Sequence, residues 1–153
     1  MQTINIAKGP ENVSRLVLGC MRMPALKVED AAKMIQAAYD LGINYIDHAT
    51  CYGDGEAETR FGEAIKLTNV KREDLIIQSK CGLRFDKQIF DWRKSNILES
   101  VDGILERLQM DYIDVLLTPK HLTLPDFSSS SKASAISSGS YSKSGLCNSN
   151  TSI

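Results

Sequence analysis

Apolar positions along the first 118 residues follow two alternating rhythms. Val13–Gly19 (VSRLVLG) is an apolar run of strand length closed by Gly19, and Met1–Ala7 adds a short hairpin strand before it. Glu29–Leu41 carries Ala31, Ile35, Ala38 and Leu41 at helical spacing and stops at Gly42, a residue suited to a left-handed C-terminal cap. Ile43–Asp47 reads as a short strand. Gly53 and Gly55 then punctuate a loop, and Ala57, Phe61, Ala64 and Ile65 mark a second helix. Leu75–Ser79 (LIIQS) is a β-rich run. Ser95 is the expected N-cap of a third helix, whose Ile97, Val101, Ile104, Leu105 and Leu108 form one apolar stripe. Tyr112–Leu117 (YIDVLL) is the last strand of the series.

Strict strand–helix alternation predicts a parallel sheet with covering helices. An open doubly wound sheet and part of a barrel both satisfy it. No G-x-G-x-x-G follows the first strand, which weighs against a dinucleotide-binding Rossmann unit. A closed (β/α)8 barrel takes about 250 residues, and this chain has 153.

The rhythm stops near Pro119. After Phe127 the sequence reads SSSSKASAISSGSYSKSGLCNSNTSI, a serine-dominated stretch that offers too little apolar surface to offset the entropy of ordering it. The expected organisation is therefore an ordered α/β unit over residues 1–118 and a disordered tail over 119–153. A linker, a phosphorylatable tail and a change of reading frame all produce such a switch.

Composition narrows the function classes. A net charge of -1 gives no electrostatic footprint for nucleic acid or an anionic membrane, and no basic cluster with interleaved aromatics occurs. No run approaches the roughly 20 apolar residues of a membrane span. The opening MQTIN lacks a basic region followed by an apolar one, so a secretory signal is not expected and the cytoplasm is the expected location. Cys20, Cys51, Cys81 and Cys147 are far apart and form no C-x-x-C pair, which fits free thiols in a reducing compartment. Cys20, Cys51 and Cys81 each follow a strand and could in principle meet His48 around zinc, but ligand pairs at short spacing are lacking, so no metal is expected.

In either architecture catalytic groups gather past the carboxyl ends of the strands. The second strand ends at Asp47, followed by His48-Ala49-Thr50-Cys51-Tyr52-Gly53; the third runs into Lys80-Cys81-Gly82. A carboxylate, a phenol and an amine would meet at one mouth. Reducing a carbonyl by hydride leaves an alkoxide that needs a proton, and a phenol with an ordinary pKa of about 10 is a poor donor at neutral pH. A cation against the phenol favours its phenolate, and Lys80 supplies one that Asp47 can hold and orient. The same residues also fit a structural ion pair with Tyr52 at the rim; spacing alone leaves both open.

NYIDHATCYGDGEAETRFGEAI resembles the aldo-keto reductase signature, in which an Asp closes the second strand and Tyr-Gly follows five residues later. Its Asp-His-Ala form is similar to a bacterial branch of that superfamily. IIQSKCG resembles the family's lysine strand, SNILESVDGILERLQMDYIDVLL its third helix and fourth strand, and LGCMRM the segment where members contact the nicotinamide ribose. The resemblance runs from about Val13 to Leu117. It implies the first half of a (β/α)8 TIM barrel, about four parallel strand–helix units, and the reduction of a small aldehyde or ketone with NADPH, or less often NADH. It further implies that Asp47, Tyr52 and Lys80 are catalytic, with Tyr52 as general acid, and that Met21, Arg22 and Asp47 lie at the nicotinamide end of the cofactor.

The family's remaining catalytic histidine falls at Pro119 here, and His121 stands two residues further on, several Å away along an extended backbone. The half-barrel reading also leaves the first and fourth strands as open edges, and most family cofactor contacts come from a later part of the barrel. The chain is therefore expected to be incomplete and poorly active alone, binding NADPH weakly or not at all. The alternative function is a non-catalytic half-barrel that acts by association, as a dimer or as a subunit of a full-length relative, through its sheet edges. Met23, Phe85 and Trp92 are candidates for either an apolar pocket or the core.

Overall fold

The parallel sheet follows from the alternation above. The computed structural model of the chain describes residues 1–6, 9–84, 89–117 and 141–142. Phe85, Pro119, His121, Cys147 and nearly all of the serine-rich segment lie outside the described residues. An antiparallel hairpin of β1 (Thr3–Ile4) and β2 (Val13–Ser14) precedes β3 (Val17–Gly19). Then come α1 (Val28–Asp40), β4 (Tyr45–Asp47), α2 (Glu56–Ala64), β5 (Ile76–Lys80), a small hairpin of β6 (Leu83–Arg84) and β7 (Ile89–Phe90), and α3 (Lys94–Leu108). The last segments are β8 (Tyr112–Ile113), β9 (Val115–Leu117) and β10 (Tyr141–Ser142), the last paired antiparallel with β8. Strands β3, β4, β5 and β9 form one four-stranded sheet in chain order, every pair parallel.

Successive strand residues point to opposite faces, and the two faces differ. One presents Ile46, Ile77 and Leu116 to Ile35 of α1, Phe61 of α2 and Ile104 and Leu105 of α3; all of these are buried in a single core. The other carries Gly19, Tyr45, Asp47, Gln78, Lys80, Val115 and Leu117, placed together by the registers Gly19↔Asp47↔Gln78↔Val115 and Lys80↔Leu117. Helices thus cover one face, and the polar residues collect on the opposite one. No helix among the described residues is long and apolar enough to cross a membrane.

Several boundaries depart from the periodicity. Val13–Gly19 is two strands, because Ser14 Oγ donates to Leu16 O at 2.7 Å and accepts from Asn44 N at 3.1 Å, local bonds that compete with the ladder. The α3 N-cap is Arg93, two residues before Ser95. Asp91 sets that start: its Oδ1 accepts the Arg93 amide at 3.0 Å and its carbonyl accepts from Asn96 Nδ2 at 2.8 Å. Leu41 caps α1 and is exposed instead of joining the stripe, while Gly42 takes the expected left-handed conformation at φ 82°. Met23 belongs to the core.

Helices α2 and α3 cross closely at Gly62. A Cβ there would lie 2.5 Å from Leu108 O and 2.8 Å from Arg107 O, both backbone atoms that cannot swing aside. Gly62→Ala should therefore cost about 1–3 kcal/mol through overpacking. Urea or thermal unfolding of the variant checks this, and an unchanged midpoint would refute so close a crossing.

Candidate active site

The site stands at the carboxyl end of the sheet, where the strands are still joined by backbone bonds. Cys20 N donates to Asp47 O (3.0 Å), His48 N to Gln78 O (2.8 Å) and Thr50 N to Lys80 O (3.2 Å). Beyond Ala49 the chain turns, with Tyr52 N donating to Ala49 O at 2.9 Å. It then enters α2 through Gly53, Asp54 and Gly55, all at positive φ (63°, 54° and 88°). Three successive left-handed residues fold back the loop that carries Tyr52, and glycine is suited to two of those places.

Lys80 is the centre of the arrangement. An ammonium has three donors, and all three are placed: on Asp47 Oδ1 at 2.5 Å, on Tyr52 Oη at 2.9 Å and on His48 O at 3.0 Å. Tyr52 Oη in turn donates to Asp47 Oδ2 at 3.0 Å, and the ammonium sits 4.7 Å from the centre of the Tyr52 ring. Acid, amine and phenol thus form a closed three-membered hydrogen-bonded cycle. Burial works against the Lys80 charge, but hydrogen bonds to Asp47 and Tyr52 outweigh it and raise its pKa above the ordinary lysine value. The lysine therefore remains a cation over the neutral pH range.

A second network braces the site from the helical side. Glu58 in the first turn of α2 is fully buried, accepting from Ser79 Oγ at 2.7 Å and from Arg107 Nε of α3 at 2.8 Å. Burial pushes its carboxyl pKa up, against the opposing pull of these two donors. The Arg107 side chain also packs on Gly55, where an added Cβ would meet its Cδ at 2.6 Å. One arginine thus ties α3 both to the start of α2 and to the end of the Tyr52 loop.

The other candidates fall in distinct places. Met21 is exposed just beyond β3, and Arg22 adjoins it as the residue preceding a short 3-10 turn. Both follow β3, whose Gly19 pairs with Asp47 at the end of β4. Among the described residues Asp47 Oδ2 accepts one hydrogen bond, from Tyr52, which leaves it capacity for a further donor. His48 lies on the opposite side of β4 from Asp47, fully buried and edge-on to Phe61 with ring centres 4.8 Å apart. Both its nitrogens are without hydrogen-bond partners among the described residues. Cys20 and Cys81 are buried and Cys51 exposed, and the described residues contain no group of three or more His, Cys, Asp or Glu able to hold a metal ion. Trp92 packs its ring on Gly82, two residues beyond Lys80, and stacks on Phe90 at 5.6 Å.

Tyr45, Gln78, Glu58 and Arg107 also belong to the site's hydrogen-bond networks, and none of them stands at the carboxyl end of a strand, where sequence alone places a site. Gln78 left a trace: it is a polar residue inside an otherwise apolar strand, two positions before Lys80 and so on the same face. Glu58 left none, because a glutamate in a helix ordinarily reads as solvated.

A parallel α/β unit thus carries an Asp–Lys–Tyr hydrogen-bonded cycle at its carboxyl end. The chain belongs to the Aldo/keto reductase family, which it matches over residues 15–147, a range that extends past Leu117 into the serine-rich segment. It is 36% identical to oxidoreductase YdhF of Escherichia coli over 126 residues, covering 76% of this chain and 42% of the relative. Over 88 residues it is 40% identical to L-galactose dehydrogenase of Arabidopsis thaliana, covering 58% of this chain and 27% of the relative. The holo form of aldo-keto reductase AKR11C1 from Bacillus halodurans superposes with a TM-score of 0.59 at 36% identity, over 69% of this chain and 36% of that one. The chain thus spans less than half the length of each of these relatives. Its sheet and helices correspond to half of an aldo-keto reductase TIM barrel.

Burial holds the His48 pKa down at about 3, against 6.5 ordinarily. The unfolded chain therefore takes up this proton first as pH falls below 6.5, and folding stability drops between pH 6.5 and 3 by up to about 1.4 kcal/mol per pH unit from this group. His48→Phe keeps the ring contact with Phe61 and removes the proton site. Urea unfolding at pH 5 and pH 7 should show a smaller pH dependence in the variant, and an identical dependence would mean that folded His48 binds its proton normally.

Proposed function

We propose that the chain carries the proton-donating side of a nicotinamide-dependent carbonyl reduction, converting an aldehyde or ketone to an alcohol. The observation that carries this reading is the Lys80 ammonium bonded at once to Asp47 and Tyr52 at the open end of the sheet. A bound NADPH, or NADH, supplies a hydride to the carbonyl carbon in such chemistry; Met21, Arg22 and Asp47 would hold its nicotinamide end.

The residues of this chain handle the proton. The Tyr52 hydroxyl rotates from Asp47 Oδ2 toward the substrate oxygen and donates its proton as negative charge develops there. The phenolate that remains keeps its hydrogen bond from Lys80, a charge-assisted contact that is stronger than the bond to the neutral phenol. Asp47 keeps the ammonium charged and aimed. The alcohol leaves, and Tyr52 regains a proton from solvent.

A second reading rests on the sheet edges. Among the described residues β3 and β9 each pair with a single neighbour within this sheet, and Val17 and Leu117 on them are exposed apolar residues. Association through these edges with another copy or a longer relative would cover both. On that reading the purified chain sediments as a discrete dimer.

With NADPH in excess, the chain should reduce a panel of small aldehydes and ketones slowly. Tyr52→Phe should lower the rate by about 10²–10⁴-fold, the range of a lost general acid, and Lys80→Met should act in the same direction. NADPH absorbance and product analysis check both. A Tyr52→Phe rate equal to the parent's would remove the proposal.

A further inference from the structure

Behind the catalytic cycle, a ladder of side chains runs down the face of the sheet that the helices leave uncovered. Tyr45 Oη donates to Gln78 Oε1 at 2.5 Å, and Gln78 Nε2 donates to Asp47 Oδ1, the carboxylate oxygen that also takes Lys80. The three residues share that face because of the parallel register: Tyr45 pairs with Ile76 and Asp47 with Gln78, so the long Gln78 side chain lies across both β4 residues. From this geometry we infer that Gln78 and Tyr45 are positioning residues that hold the Asp47 carboxylate so that one oxygen receives Lys80 and the other Tyr52. The inference rests on the proposed reduction for its meaning in catalysis, but the ladder itself does not.

The direction of each bond follows from chemistry. A carboxylate can only accept, so the amide nitrogen of Gln78 must face Asp47, and its oxygen must then face Tyr45. Tyr45 can supply the donor because it keeps its proton: burial, and then the nearby Asp47 charge, raise its pKa above the ordinary phenol value. A neutral phenol thus fixes the amide, the amide fixes the carboxylate, and the carboxylate fixes the ammonium. Gln78 and Tyr45 stand one step or more behind the reacting atoms, and neither touches Tyr52 or Lys80 in the bonds described.

The test needs a readout that a merely space-filling residue would not move, and the Lys80 ammonium supplies it. Its titration can be followed by nitrogen-15 NMR in lysine-labelled chain, assigned with Lys80→Met. Gln78→Leu keeps the side-chain bulk and removes both amide bonds. The carboxylate then loses its brace, Lys80 loses part of its bond to Asp47, and its titration midpoint should fall. Tyr45→Phe, the gentler change, should move the midpoint in the same direction by less. In the reduction assay Gln78→Leu should lower kcat roughly tenfold, the effect of one lost hydrogen bond to a charged group, with KM for the carbonyl unchanged. Adding Tyr45→Phe to Gln78→Leu should cost nothing more, since Tyr45 acts through Gln78.

A Lys80 midpoint unmoved by Gln78→Leu, in a variant with the parent's circular dichroism, overturns the inference. So does an unmoved midpoint in Tyr45→Phe should Gln78→Leu not fold. A parent chain that reduces no carbonyl, yet shows the midpoint shift, would sink the proposed function and leave the ladder standing.

Discussion

A cation held at the end of β5 by the side chain of its neighbour β4 is the interaction on which the site depends. Parallel pairing brings Asp47 level with Gln78, one pleat short of Lys80. The lysine side chain reaches back across that step to the carboxylate and forward to the hydroxyl that the following loop returns to it. The register between two strands thus does most of the positioning. A slip by one residue would turn Lys80 into the core and Ser79 outward, so the buried pattern Ile77, Ser79 on the helical side also fixes the chemistry on the other.

The helical side has its own polar requirement. Glu58 is a fully buried carboxylate, which is costly unless it is paired and hydrogen-bonded. Ser79 and Arg107 meet that need, and in doing so they join β5, α2 and α3 at the level of the Tyr52 loop. Arg72 does comparable work at the opposite end of the sheet. Its guanidinium donates to Asp114 Oδ2 at 2.7 Å and to Leu75 O at 2.8 Å, and stacks 3.8 Å from the centre of the Tyr112 ring. Asp114 Oδ2 also accepts the Ile77 amide, which explains the break between β8 and β9 inside one apolar run.

Much of this was legible in the sequence. The order of elements came from apolar periodicity, the end of α1 from Gly42, and Asp47, Tyr52 and Lys80 from their places at or after strand ends. What escaped were contacts between residues far apart in the chain. Glu58 and Arg107 are separated by 49 positions and each alone looks like a solvated charge on a helix. Gln78 looks like an interruption in LIIQS until the register sets it beside Asp47. Ser95 has the right chemistry for an N-cap, but Asp91 and Asn96 organise the turn before it. His48 sits in the middle of the signature, yet strand alternation turns it away from Asp47 and into the core against Phe61.

If, as proposed, the Asp47–Lys80–Tyr52 cycle serves hydride reduction of a carbonyl, the hydride of the cofactor must end on the product. The most direct measurement is isotopic: NADPH carrying deuterium at both hydrogen positions of the reactive carbon of the nicotinamide is incubated with the chain and an aldehyde, and the product is analysed by mass spectrometry. The account predicts an alcohol with one deuterium on its carbinol carbon for each NADPH oxidised. Alcohol without deuterium, or NADPH oxidised with no alcohol formed, would contradict it.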